Sequence, residues 1–142
     1  MEIPEVRRRV RAAIDQARRD LNARRDRNDA AARAFEAFLA ERAIPAFNKI
    51  ASALTAEGHR FKVFTPAGAV RLSSERSAAD FIELTLETSE RLPVVLGRSS
   101  IGRGRGATTR ERPVRPDASP SDLSEDDVME FLLDEITPFV ER

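Results

Sequence analysis

Hydrophobic positions in the first part of the chain fall at helical spacing. They are Val6, Val10, Ile14, Ala17 and Leu21, then Ala31, Phe35, Phe38 and Leu39, and beyond Pro45 again Phe47, Ile50, Ala51 and Leu54. Apolar residues three and four apart line one face of an α-helix. Residues 5–44 contain neither Gly nor Pro, and the good helix formers Ala, Arg, Glu and Leu dominate them. The spacing predicts a long helix over 4–57, capped by Gly58. Pro45 is expected to kink it or to restart it at a first-turn position.

Such a helix is too long for one small domain. At about 1.5 Å per residue it measures roughly 80 Å, whereas a compact domain of this size is roughly 35–40 Å across. Either it breaks near 22–29 into an antiparallel pair, or its N-terminal half projects and packs on another chain. The heptad phase favours projection. Ile14, Leu21, Asn28 and Phe35 share one core position, and Val10, Ala17, Arg24, Ala31 and Phe38 share the other. In that seam Asn28 is a buried polar residue that fixes register, and Arg24 is a misplaced charge. In the broken-helix alternative, residues 22–30 are a hinge with Asn28 or Asp29 as N-cap. The projecting reading assigns Val10, Ile14, Leu21 and Asn28 to self-association.

After Gly58 the period changes from helical to two. Residues 59–65 read as a strand, Pro66-Ala67-Gly68 as a turn and 69–73 as the hairpin partner. Over 80–88, Ile82, Leu84 and Leu86 alternate with Phe81, Glu83, Thr85 and Glu87, which predicts a half-buried strand. A fourth strand is expected over 91–98, with Pro93 placing it at an edge. Residues 99–122 hold Gly102, Gly104, Gly106, Pro113, Pro116 and Pro120 without hydrophobic periodicity, and are expected to be a flexible basic loop. A C-terminal helix over 124–136 follows, with Ser124 as N-cap, acids in its first turn, and Val128, Phe131, Leu132 and Ile136 as its apolar stripe. The expected fold is a single α+β domain over 1–142: a long N-terminal helix packed on a four-stranded antiparallel meander (59–98), with a C-terminal acidic helix.

Charge alters this picture because it is sorted along the chain. Residues 1–116 carry 23 Lys+Arg against 15 Asp+Glu, whereas residues 117–142 carry one Arg against nine acids. Sorted charge of this kind points to a protein partner, a polyanion or self-association. There is no Cys, so disulfides, thiolate nucleophiles and Cys-ligated zinc are excluded. The N-terminal residues lack the apolar run of a signal peptide, and no apolar segment is long enough to span a membrane. A cytoplasmic protein is expected.

Two basic surfaces are candidates for partner or polyanion contact. One is the loop with Arg98, Arg103, Arg105, Arg110, Arg112 and Arg115; the other is the cluster Arg7, Arg8, Arg9 and Arg11. Gly-Arg-Gly-Arg-Gly at 102–106 is not followed by Lys-Ser/Thr or by a helix, so it is not a nucleotide-binding loop of the familiar kinds. The acids Asp122, Glu125, Asp126, Asp127 and Glu130 match no calcium-loop spacing, and first-turn acids need no metal to explain them. His59, the one histidine, has no companion that would make it catalytic, and Glu83 and Glu87 are expected to form a solvated strand face opposite Arg71 or Lys62. No catalytic residue, cofactor or metal is expected. The sequence thus reads as a non-enzymatic interaction module that forms a homodimer or larger oligomer through a coiled-coil helix. It would engage a second protein through the basic loop and acidic helix, with nucleic-acid binding through the arginines as the alternative.

Overall fold

A single helical rod runs through residues 3–56 of the computed structural model, which describes residues 1–89 and 91–141. Glu90, within the span expected to be sheet, and Arg142, at the end of the expected domain, lie outside the described residues. The rod has 54 residues: helix α1 (Ile3–Phe38), a π-helical segment (Leu39–Ala43) and helix α2 (Ile44–Ala56). Residues 22–30 are helical throughout, so no hinge forms there. Pro45 is accommodated without a break. Its ring would collide with the carbonyl four residues back in a regular helix, and the wider π turn just before it relieves that crowding. Gly58, at φ +93°, ends the rod. His59 N–H donates to the Leu54 carbonyl at 2.8 Å and Gly58 N–H to that of Thr55 at 3.1 Å, a Schellman cap that only a left-handed residue completes.

The sheet has five strands rather than the expected four: β1 (Phe61–Phe64), β2 (Ala69–Ser74), β3 (Phe81–Glu87), β4 (Val94–Arg103) and β5 (Gly106–Pro113), paired antiparallel in chain order. The fifth comes from the segment expected to be a loop. Arg103 pairs with Gly106 across a two-residue turn with Gly104 at φ +58°, and the ladder runs back to Leu96 opposite Pro113. Gly at the first turn position suits a tight hairpin. The tip of this hairpin extends past the core, so residues 106–110 are all exposed. Backbone pairing alone holds them, and they carry no apolar alternation to announce a strand. Pro93 precedes β4 instead of interrupting it.

One sheet face is covered and the other is open. Val70, Leu72, Ile82, Leu84 and Val95 pack beneath Phe38, Ala43, Phe47, Ile50 and Leu54 of the rod. The chain then returns through a 3₁₀ turn (Pro120–Asp122) to helix α3 (Glu125–Glu135) and a last turn, α4 (Thr137–Val140). Ser124 and Asp127 form a capping box: the Ser124 hydroxyl accepts from Asp127 N–H at 3.0 Å, and the Asp127 carboxylate accepts from Ser124 N–H at 2.9 Å. Leu123, Val128, Phe131, Leu132 and Phe139 complete the core, with Phe139 edge-on to Phe61 at 6.0 Å. The acidic segment is therefore part of the fold and not a detachable tail.

Candidate interaction surfaces

The helical stripe read from the sequence continues past the body into solvent. Val6, Val10, Ile14 and Leu21 are 41%, 52%, 48% and 50% exposed, and Ile3 lies further out on the same side. A shallow groove of about 490 Å³ follows this stripe, lined by Val6, Val10 and Ile14 with Arg7, Arg11, Asp15 and Arg18 along it. Phe35 and Phe38, two turns beyond Asn28, are fully embedded in the body. Asn28 itself is half-buried and marks the crossing from solvent to body. Arg24 sits at the same boundary, its guanidinium 3.5 Å from the Ser89 carbonyl in the loop after β3. That loop is pinned in turn: the Ser89 hydroxyl and backbone N–H hold the Glu87 carboxyl below its ordinary pKa, the N–H donating at 2.8 Å.

The arginines of the basic cluster Arg7, Arg8, Arg9 and Arg11 are all exposed along α1, and Arg9 pairs with Glu5 one turn away at 3.3 Å. Counting about 1.5 Å per residue, they lie tens of ångströms from the hairpin arginines along the rod. The two basic surfaces are not one.

The hairpin arginines also separate. Arg112 turns inward: its guanidinium lies 4.5 Å over the Phe131 ring, and its Nε donates to Glu135 Oε1 at 2.6 Å. The Ser99 hydroxyl donates to the other Glu135 oxygen at 3.0 Å, so a carboxylate that is 4% exposed has both oxygens engaged. Phe131 reaches this position because Gly97 has no side chain; a Cβ there would stand 2.1 Å from its ring. Arg115 pairs with Asp127 at 2.8 Å and donates to the Asp122 carbonyl. Arg98 lies on the opposite, open face, its guanidinium 5.6 Å from the Phe81 ring. Arg103 and Arg110 point to the helix side of the hairpin by strand alternation, and Arg105 is in the turn. Arg98, Arg103, Arg105 and Arg110 are exposed; Arg112 and Arg115 are committed to α3 and its approach.

On the open face, register puts Arg71, Glu83, Arg98 and Glu111 side by side across four strands, charges alternating. Arg71 bonds Glu83 at 2.7 Å and stacks on Phe81 at 3.9 Å, so Glu83 stands opposite Arg71 as expected but is buried beneath it and not solvated. His59 is half-buried at the helix cap. Among the described residues, no group of three His, Cys, Asp or Glu side chains is arranged to hold a metal.

One contact was not legible in the sequence. Arg42 clamps the returning chain, donating to the Leu123 carbonyl at 3.0 Å while lying 5.4 Å over Phe38. Ile3 and Val6 extend the free stripe beyond the residues assigned to self-association, and the spacing that picked out Val10 and Ile14 reaches them too. No helix among the described residues is long and apolar enough to cross a membrane. Compared with known proteins, the chain matches no family model, no curated protein and no solved structure.

Proposed function

We propose that this chain is a non-enzymatic interaction module that self-associates through residues 3–21 of α1. A second protein engages the exposed side of the β4–β5 hairpin and α3. The observation that carries the reading is the row Ile3, Val6, Val10, Ile14 and Leu21, left in solvent by a helix longer than its body. A contiguous apolar stripe flanked by charge is the kind of surface that protein contacts bury. A second copy fits it because Ile3, Val10, Ile14, Ala17 and Leu21 repeat in heptad phase, with Arg7 the charged residue among those positions, which lets two identical helices interdigitate. The free stripe is shorter than the three to four heptads that stable coiled coils sustain, so association is reversible and concentration-dependent.

The second contact rests on the exposed Arg103 and Arg105 of the hairpin tip and on the exposed Asp126, Glu130 and Asp134 of α3. Nucleic acid is the weaker reading. Arg112 and Arg115 are neutralised within the chain, and Arg98 faces away from Arg103 and Arg110.

Light scattering across the micromolar range tests self-association. The expected mass rises above that of one chain with concentration, and Ile14→Glu returns it to one chain with helix content retained. A wild-type mass of one chain at every concentration would overturn the reading.

A further inference from the structure

We infer that the seam between two copies holds a small polyvalent phosphate anion, gripped by Arg7, Arg11 and Arg18 of both helices, and that this anion tightens their association. The inference rests on the self-association proposed above and names a ligand that regulates it.

Charge along the stripe is unbalanced. Residues 3–21 carry six arginines against Glu5, Asp15 and Asp20. Two of those acids already have partners in the helix: Glu5 pairs with Arg9 at 3.3 Å, and Asp20 accepts from the Gln16 amide at 2.8 Å. Arg19 donates to the Gln16 side-chain oxygen at 2.7 Å. Arg7, Arg11 and Arg18 are exposed and have no ion pair among the described residues. All three line the same groove as Val6, Val10 and Ile14, with Asp15 as the acid beside them.

Burying the stripe forces this charge together. Arg7 shares a heptad position with Ile14 and Leu21, so it lies in the seam itself, and Arg11 and Arg18 lie along it. A second copy brings the same arginines into the same narrow groove whichever way it runs. The apolar gain is opposed by like-charge repulsion at separations within the screening length, roughly 8–10 Å at ordinary salt. The two Asp15 carboxylates leave most of that charge in place. A chloride ion offsets a single charge. A phosphate-type anion offsets several from one point, and its oxygens match the forked donors of guanidinium groups. Arg7 and Arg11, one turn apart on one side of the helix, are spaced to share it.

Sedimentation equilibrium of the full chain in sodium pyrophosphate and in sodium chloride, at matched ionic strength, tests the site. With pyrophosphate at roughly ten times its own Kd, the dissociation constant of the pair is expected to fall about tenfold, as linkage requires of a ligand that only the pair binds. Arg7→Gln combined with Arg11→Gln keeps good helix formers at both positions and removes the site together with its repulsion. That variant is expected to associate in chloride at least as tightly as the wild type, and to gain less than about twofold from pyrophosphate. Equal association of the wild type in the two salts would overturn the anion site and leave self-association standing. Weaker association of the variant in chloride would overturn the repulsion on which the site rests. Tightening by a short single-stranded DNA with none by pyrophosphate would overturn the small anion in favour of nucleic acid. A wild-type mass of one chain in both salts removes the site and the self-association alike.

Discussion

The two halves of the N-terminal helix both carry an apolar stripe at helical spacing and end in opposite environments. In one half, Phe35, Phe38, Phe47, Ile50 and Leu54 lie beneath the sheet and α3, with Phe38 and Phe47 at 0% exposure. In the other, Ile3, Val6, Val10, Ile14 and Leu21 face water. The pattern that drives burial is present in both, so what differs is supply: the remaining residues make one sheet and one short helix, enough to cover roughly half of an 80 Å rod. The residue choices follow the outcome. The embedded half uses aromatics, which fill a three-dimensional core. The free half uses Val, Ile, Leu and Ala between arginines, so its apolar stripe stays narrow and flanked by charge.

The sharpest way to break this comparison is to truncate one residue in each half. Phe38→Ala is expected to lower stability by about 3–5 kcal/mol, the usual cost of emptying a buried phenylalanine site. That loss is independent of protein concentration. Leu21→Ala is expected to cost the body less than about 1 kcal/mol, because the side chain is already half in water. Its effect instead grows with concentration, as mass action requires of a residue that acts through association. Urea denaturation at two protein concentrations separates the two. Equal, concentration-independent losses would erase the distinction between the halves.

Within the embedded half, Gly97→Ala probes how tightly α3 is seated on the sheet. The added methyl meets the Phe131 ring, and the expected loss is about 1–3 kcal/mol, read as a shifted denaturation midpoint. An unchanged midpoint would mean that α3 can lift without cost. Arg115→Ala should have the smallest effect, below about 1 kcal/mol, because both partners of the Arg115–Asp127 pair reach solvent. Thermal melts at low and high salt check it; a loss that persists at high salt would show that the pair is more than a surface contact.

Legibility varied with how local the cause was. Gly58, Ser124, the alternation of Ile82, Leu84 and Leu86, and the Arg71–Glu83 pairing were readable because each depends on residues close in sequence or on one strand register. The β4–β5 hairpin was not, because Thr108, Thr109 and Arg110 pair through backbone at an exposed tip and show no hydrophobic period. The buried Glu135 cluster was hidden for a different reason. Ser99, Arg112 and Glu135 come from two strands and a helix, and only a glycine at 97 lets Phe131 close over them.

The sequence by itself determined the helical stripe, the Gly58 and Ser124 caps and the sorting of charge, since these follow from periodicity and local chemistry, but it left open whether the helix runs on through residues 22–30. Only the tertiary structure decided where the stripe leaves the body, that the rod passes Pro45 through a π turn, and that Arg112 and Arg115 meet the acidic helix in the same chain. Those outcomes depend on which surfaces the other segments cover, and coverage is a property of the packed chain as a whole.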